Sequence, residues 1–551
     1  MKVAEYLPMM LKEYGTTHIF YEEMLFPALM RKAEDLGIRP IIAHSEFGAA
    51  YMADGYARTS HKPGICMAQA IGAPNLAAGL HDAWLACIPL IAITGKRPPI
   101  QRYRNAYQDS DHIAAFGAFT KFSADVVDPN QLPILLRQAY RESVSGKPRP
   151  VHFDILGFGG IELEGLEVDA PLVVNKEYSV YPPFKPAAAK EAIATAAKEI
   201  ASAQRPVIIA GRGAIIGNAQ NAITDLITKA DIPLITTNDG KCIIDESSPY
   251  WYGIVGGYGM DCANKIVSKS DLVIYVGSQI SDMSSLAWTV PDVSTRVIQI
   301  DIDGSEIGRN YPNCLALFGD AGTVAAQLAD AVAAGKHDTW RKECDALVKD
   351  TLDKQAARCA SNSTPIDPAR LCHEVSKALP DNAVLVSDTG WSAVWSSTFI
   401  RMKASQKYIR AAGTLGWSYP ASLGAKCAAP DRPVVNFTGD GAFYYCMSEM
   451  STAMKYGINT VTVINNNESF AQCYSVIADS DYKDDDQRAQ WRFGFNPLNF
   501  AEIAKGFGLH AVRVTESAKI GPAITEALAA GKPALVEVCT SLDGPLPAME
   551  K

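Results

Sequence analysis

The sequence lacks most of the signatures that would settle its class at once. None of its 12 cysteines stands in a Cys-x-x-Cys pair, so neither a zinc site nor a disulfide framework is indicated. They read as small buried apolar residues of a reducing compartment. No run of about 18 or more apolar residues occurs, which argues against a membrane-spanning helix. Met1 to Gly15 carries Glu5, Lys12 and Glu13, so it has no unbroken apolar core for export. There is no basic excess: the net charge is −9, the wrong sign for nucleic acid as a main partner. Short repeats and low-complexity tracts are absent as well. What is there is ordinary globular composition, 48% hydrophobic and 20% charged over 551 residues. That length predicts three or four domains, and the whole reads as a cytoplasmic protein.

Strand and helix patterns alternate along residues 1–165 as a parallel sheet requires. Thr17 to Phe20, Pro40 to Ala43, Gly64 to Ala68, Pro89 to Thr94 and Val151 to Ile155 read as strands, with helices at Phe47 to Arg58 and Asn75 to Ala86. Tyr181-Pro182-Pro183-Phe184-Lys185-Pro186 is a proline-stiffened linker. A second α/β unit covers 189–346, with strands at Pro206 to Ala210, Leu272 to Val276 and Val297 to Ile300. Gly211 and Gly213 after a strand, with Asp301 and Asp303 at a later strand end, could cradle a dinucleotide. The full spaced-glycine fingerprint is missing, so tight structural turns explain them equally well. The polar run Lys349 to Pro365 leads to a third unit, 366–551, with strands at Ala383 to Ser387 and Ala534 to Cys539. The first and third units look alike in their alternation.

The third unit holds the most informative stretch. Val434 to Phe437 reads as a buried strand running into Gly439-Asp440-Gly441-Ala442. Met447, Met450, Ala453 and Met454 then fall at helical spacing, Gly457 closes the helix, and Thr460 to Ile464 form a strand delivering Asn465-Asn466-Asn467. Asp440 and the asparagines thus lie at the carboxyl ends of neighbouring strands, where open α/β sheets bind ligands. A glycine turn lets backbone approach a phosphate, and the following helix N-terminus favours negative charge. One carboxylate with amide and carbonyl oxygens suits Mg2+, a hard cation commonly shared with phosphate.

This arrangement resembles the diphosphate-binding motif of thiamine-diphosphate (ThDP) enzymes, in which Gly-Asp-Gly precedes Asn-Asn by about two dozen residues. Family spacing implies Asp440 and Asn467 as metal ligands with the Ser469 carbonyl; the other register moves the amide ligand to Asn466. A second stretch, His44-Ser45-Glu46-Phe47-Gly48-Ala49-Ala50 running to Ala53-Asp54-Gly55-Tyr56-Ala57-Arg58, places one carboxylate at a strand end where a small-residue helix begins. It resembles the catalytic-glutamate segment of ThDP enzymes, especially the acetohydroxyacid synthase group. Gly72-Ala73-Pro74-Asn75, Ala106-Tyr107-Gln108-Asp109, Gly413-Thr414-Leu415-Gly416 and Pro420-Ala421 match further landmarks in order, so the resemblance covers nearly the whole chain.

The resemblance implies three doubly wound parallel-sheet domains, for pyrimidine binding, a central role and diphosphate binding. It implies ThDP and Mg2+ as cofactors and a lyase or carboligase acting on a 2-oxo acid or acyloin-type substrate. ThDP reacts through the carbanion at C2 of its thiazolium ring. Glu46 would drive ring activation through the aminopyrimidine N1′, Leu415 would support the bent cofactor, and the Gly413 carbonyl would accept from its amino group. Gly72, Asn75, Gly390, Trp391, Ser392, Gly439, Gly441 and Ala442 would complete the cofactor site. Glu46 and Asp440 would come from different subunits, so a homodimer or dimer of dimers with shared sites is implied.

Departures concern the substrate side. Tyr21-Glu22-Glu23-Met24-Leu25 stands where the family has a glycine-rich loop, and Tyr107 stands where the synthases carry phenylalanine. Glu22, Glu23, Tyr107, Gln108, Trp417, Tyr419, Phe470, Gln472 and Tyr474 are candidates for the pocket wall. The acid-rich run Asp479 to Asp486 reads as solvated surface. Ser278 to Met283 lacks the arginine of the FAD-binding members, which leaves FAD an open alternative and not an expectation.

Overall fold

The computed structural model describes residues 1–22, 26–157, 161–478, 480 and 482–549. The short apolar runs become strands of three six-stranded parallel sheets. Strands covered on both faces carry continuous apolar runs, which is why they stand out in the sequence. The first sheet contains β1 (His18–Glu22), β2 (Arg39–Ile42), β3 (Gly64–Ala68), β4 (Leu90–Lys96), β5 (Ser123–Val126) and β6 (Val151–Leu156), in the order β2-β1-β3-β4-β6-β5. The central sheet contains β7 (Pro206–Ala210), β8 (Leu234–Thr236), β9 (Trp251–Ile254), β10 (Leu272–Val276), β11 (Arg296–Asp301) and β12 (Cys314–Phe318), ordered β12-β11-β10-β7-β8-β9. The third contains β13 (Val384–Ser387), β14 (Lys407–Arg410), β15 (Val434–Gly439), β16 (Val461–Asn466), β17 (His510–Val514) and β18 (Ala534–Cys539), ordered β14-β13-β15-β16-β18-β17. The first and third sheets therefore share one topology, as their matching alternation suggests.

Several elements escape the sequence reading. β5 and β17 are half-buried along most of their length and carry no continuous apolar run, whereas β12 is an apolar run that is largely uncovered. The polar stretch from Lys349, read as a connector, is helical as far as Cys359, part of one helix beginning at Asp338. Only Trp340, Cys344, Thr351 and Gln355 of that helix are buried, which leaves its apolar face too narrow to recognise.

Doubly wound sheets open a crevice where the strand order reverses. In the first sheet the reversal falls between β1 and β3, in the third between β13 and β15, and in the central one between β7 and β10. The first and third sheets are also joined within the chain. The helix Glu46–Ser60 starts at Ser45, whose Oγ accepts the Gly48 N–H at 3.1 Å, and packs on the helix Ser418–Ala428. A methyl group at Gly55 would run into the backbone of Ala421, and one at Gly424 into that of Met52. The two helices meet backbone to backbone, and Met52, Ala53, Tyr419 and Leu423 share one core across the junction.

Candidate active site

The sequence-predicted residues gather into two clusters and a loop. In the first cluster Glu46 is the first residue of its helix and half-buried. Its Oε2 accepts the Asn75 Nδ2–H at 2.5 Å. Gly72 lies directly beneath: a Cβ there would come within 2.8 Å of Glu46 Cγ, so only glycine leaves the carboxylate its place. Glu22 ends β1 at the strand-order reversal, in register with Ala68 of β3, and is half-buried. Glu23, Met24 and Leu25 lie outside the described residues.

The second cluster surrounds the reversal of the third sheet. Gly390 precedes the helix Trp391–Thr398 and faces the Gln472 carboxamide, while Ser392 Oγ lies against Gly439. Asp440 and Ala442 are buried in the helix Asp440–Cys446. Asp440 Oδ1 accepts the Gly441 N–H at 2.8 Å and Oδ2 the Ser469 N–H at 3.1 Å. Burial pushes its carboxyl up to about 7 against these bonds. Gly441 sits under the Phe470 ring. The asparagine triplet is not uniform. Asn465 Oδ1 accepts the Thr540 hydroxyl at 2.6 Å, and Asn466 Oδ1 accepts the Glu468 N–H at 3.1 Å. Asn467 Oδ1 is buried without a partner. Glu46 makes its hydrogen bond within the first sheet's unit and Asp440 makes its own within the third.

The loop carrying Gly413 and Leu415 is held by acids that sequence reading passed over. Asp82 accepts the N–H groups of Ala412, Gly413 and Thr414 at 2.9 to 3.1 Å. Asp388 accepts those of Gly416 and Ser418 at 3.1 and 2.9 Å. Gly413 is exposed and Leu415 half-buried. Asp388 follows β13 as Asp440 follows β15, so the strand-end argument would have found it. Asp82 sits in a helix with no such signal.

Three side chains differ from expectation. Trp417, expected on a pocket wall, is fully buried: its Nε1–H donates to Asp54 Oδ2 at 2.8 Å beneath the Arg58 guanidinium. Arg58 in turn pairs with Asp54 and Asp82 at 2.6 and 2.8 Å, so this tryptophan is a buried strut of the domain junction. Tyr419 is likewise core, packed on Phe443 with ring centres 5.1 Å apart. The Trp391 indole packs on Gly544 and the third core. By contrast, Gln472 Nε2 reaches the Tyr258 hydroxyl at 3.3 Å, and Phe470 and Tyr474 are half-buried beside it. Tyr107 is 73% exposed and Gln108 has a buried Oε1 without a partner. Asp484 to Asp486 are exposed, as a solvated run should be.

Where the central unit meets the other two, a cavity of about 380 Å³ opens at the reversal between β7 and β10, lined by Gly213, Gly277, Asp239 and Asp301 with Lys147 of the first unit and Arg410 of the third among others. Burial raises the Asp301 carboxyl to about 6. Gly213 is needed for packing here, because a Cβ would come within 2.7 Å of Gly277 Cα.

A curated relative from Arthrospira platensis, named acetolactate synthase, is 30% identical over 556 residues, covering 97% of this chain and 93% of its own length. The chain belongs to the thiamine pyrophosphate enzyme family. Family models agree in order: the N-terminal TPP-binding domain matches residues 1–115, the central domain 193–328 and the C-terminal TPP-binding domain 388–538. A probable acetolactate synthase large subunit of Methanocaldococcus jannaschii is 29% identical, covering 90% of this chain and 85% of the relative. A sulfoacetaldehyde acetyltransferase of Alcaligenes xylosoxydans xylosoxydans is 26% identical, with 92% and 87% covered. This acetolactate synthase-like ThDP enzyme has, among its described residues, no helix long and apolar enough to cross a membrane.

One buried acid ties the Glu46 loop to the third sheet's unit. Glu449 Oε1 accepts the His44 N–H at 3.0 Å and Oε2 the Thr452 hydroxyl at 2.8 Å. Burial raises its carboxyl to about 7. The folded state therefore holds a proton that the unfolded chain releases near pH 4.5, and stability falls as pH rises from there to 7. Glu449→Gln carries no such charge. Relative to the variant, the wild type should lose about 3 kcal/mol across that range, read from urea unfolding at a series of pH values. Parallel stability curves would show that the acid is not strained by burial.

Proposed function

We propose that this enzyme binds ThDP through Mg2+ held by Asp440, Asn467 and the Ser469 backbone, and transfers or cleaves an acyl unit of a small 2-oxo acid or acyloin. The observation carrying this reading is the buried, unpartnered Asn467 Oδ1 two residues from Ser469, whose N–H already holds Asp440. A buried acceptor with no donor is costly unless something fills the site. Asp440 and an amide oxygen form the hard donor set that Mg2+ takes, with diphosphate oxygens completing it. The competing register through Asn466 is disfavoured because its oxygen is already engaged. Asn467→Ala should accordingly weaken Mg2+-dependent ThDP binding more than Asn465→Ala, as measured by calorimetry. The reverse order would move the metal to the other asparagine.

When bound, ThDP supplies a thiazolium C2 carbon able to carry the acyl unit as a carbanion equivalent. Glu46 would hold the proton at the aminopyrimidine N1′. Asn75 occupies its Oε2, which leaves Oε1, over Gly72, for that proton. Leu415 would lie against the cofactor and the Gly413 carbonyl would accept from its amino group; Asp82 and Asp388 fix that loop. Gly390, Ser392, Gly439, Gly441 and Ala442 would border the diphosphate. Glu22, Tyr107, Gln108, Phe470, Gln472 and Tyr474 would border the substrate. The names of the relatives, acetolactate synthase and sulfoacetaldehyde acetyltransferase, favour acyl transfer over simple cleavage. Incubation with ThDP, Mg2+ and a panel of 2-oxo acids, acyloins, 2-hydroxyacyl-CoA esters and sulfoacetaldehyde, followed by product identification, tests the reading. No turnover of any member would refute it.

The shared site belongs to the same proposal. Large apolar side chains stand exposed next to site residues of both units: Ile71 (58%), preceding Gly72, in the first and Tyr445 (56%), packed against Gly416, in the third. Exposed apolar patches of this kind mark association surfaces. Glu46→Gln and Asp440→Ala proteins, each inactive alone, should regain activity when their subunits are exchanged, since one intact site forms per hybrid dimer. Demonstrated exchange without recovery would place both residues in one subunit's site. The central cavity supports a subsidiary reading, a nucleotide at Asp301, which extraction of the denatured protein and chromatography would reveal.

A further inference from the structure

The end of β18 carries two polar side chains that the mechanism above leaves unused. Glu537 is fully buried in a strand otherwise made of Ala534, Leu535, Val536, Val538 and Cys539. A charge in such a place is retained only if it is well paired. Its Oε1 accepts the Asn466 Nδ2–H at 2.7 Å and its Oε2 the Ala501 N–H at 3.0 Å, with Arg513 Nη1 3.6 Å away. Thr540, just past the strand, donates its hydroxyl to Asn465 Oδ1 at 2.6 Å and its N–H to Asn466 O at 2.8 Å.

Three consecutive asparagines present a choice of ligand. Asn465 and Asn467 are two residues apart, the spacing that puts side chains on one face of an extended chain. Either amide oxygen could serve a cation at the strand end. Thr540 closes that choice by occupying the Asn465 oxygen, and Glu537 fixes the intervening residue by its amide N–H. Asn467 is left as the one amide oxygen of the three without a donor.

We propose that Glu537 and Thr540 are positioning residues that select Asn467 as the metal's amide ligand by holding Asn466 and masking Asn465. The inference rests on the Mg2+ reading above. Residues that orient metal ligands typically contribute about 10- to 100-fold in metal affinity. The experiment is calorimetric titration of ThDP at a series of Mg2+ concentrations, with melting of the ligand-free protein in parallel. Thr540→Val is close to isosteric and should raise the half-saturating Mg2+ concentration about tenfold or more, while Thr540→Ser should behave as wild type. In the Thr540→Val background Asn467→Ala should raise the Mg2+ requirement less than it does in the wild type, because the freed Asn465 oxygen can stand in for the lost ligand. Glu537→Gln should shift the requirement the same way, although it leaves one buried N–H facing a donor and will also lower the melting temperature. An unchanged Mg2+ requirement in Thr540→Val, or an equal effect of Asn467→Ala in both backgrounds, would overturn the proposal while leaving the metal site intact. A wild type that binds ThDP without regard to Mg2+ would remove the metal reading itself, and the selection with it.

Discussion

Asp440→Ala should abolish Mg2+-dependent ThDP binding while changing the stability of the ligand-free protein little at pH 8. The two halves of this expectation have separate physical causes. Loss of the one charged metal ligand leaves the diphosphate facing a cation that the remaining amide and carbonyl oxygens hold weakly. Breaking a buried charge pairing costs about 3 kcal/mol or more, roughly a hundredfold in affinity. The ligand-free protein, however, already suffers from this carboxylate, whose acid form burial favours up to about pH 7. Ionising it above that pH costs about 4 kcal/mol. Its removal offsets the two backbone N–H groups left unpaired, at about 1–3 kcal/mol each. Below pH 7 the folded wild type keeps the proton and the penalty fades, so the variant should be comparatively weaker at pH 5 than at pH 8. Calorimetry with ThDP and Mg2+, and denaturant unfolding at the two pH values, measure both halves. Normal affinity in the variant would remove Asp440 from the metal site.

Glu46→Gln should slow exchange of the C2 proton of bound ThDP by about 10²- to 10⁴-fold, the usual contribution of a placed acid–base group. The substitution keeps the size of the side chain, and a glutamine oxygen can still accept the Asn75 N–H that Glu46 Oε2 accepts. What it loses is the ability to hold a proton at Oε1. Cofactor affinity should change far less, because the proposed diphosphate and metal contacts lie in the third sheet's unit. The competing view makes Glu46 a helix-start residue, favoured by the dipole of Glu46–Ser60 by about 0.3–1 kcal/mol. On that view exchange would be untouched and only the melting temperature would move. Quenched-flow NMR in D2O distinguishes them: a fully ThDP-loaded variant exchanging at the wild-type rate excludes Glu46 from the chemistry.

Elements lying in the middle of sheets were legible because burial on both faces demands continuous apolar runs. β3, β7, β10 and β18 begin and end where the pattern places them. Edge strands such as β5 and β17 meet no such demand and carry no comparable signal. The same holds within the site. Asp440 and Glu46 could be read because each is a lone acid at a strand end followed by small residues, a local pattern with a local cause. Glu537 was also open to reading, since a carboxylate inside Ala534–Cys539 interrupts an apolar run and needs a buried partner.

The sequence by itself determined the α/β class, the family and the two motif cores, because strand burial, helix capping and glycine turns depend on neighbours along the chain. Only the tertiary structure decided that the Asn465 oxygen is taken, since that follows from Thr540, more than 70 residues away, whereas the Asn466 oxygen is engaged locally by the Glu468 N–H. It also moved Trp417 from a pocket wall to the junction between the first and third sheets. An aromatic ring beside a glycine turn fits either place, and what decides is the buried carboxylate of Asp54 accepting its N–H. Long-range hydrogen bonds between buried groups leave no periodic trace, and so they become visible only once the sheets are assembled.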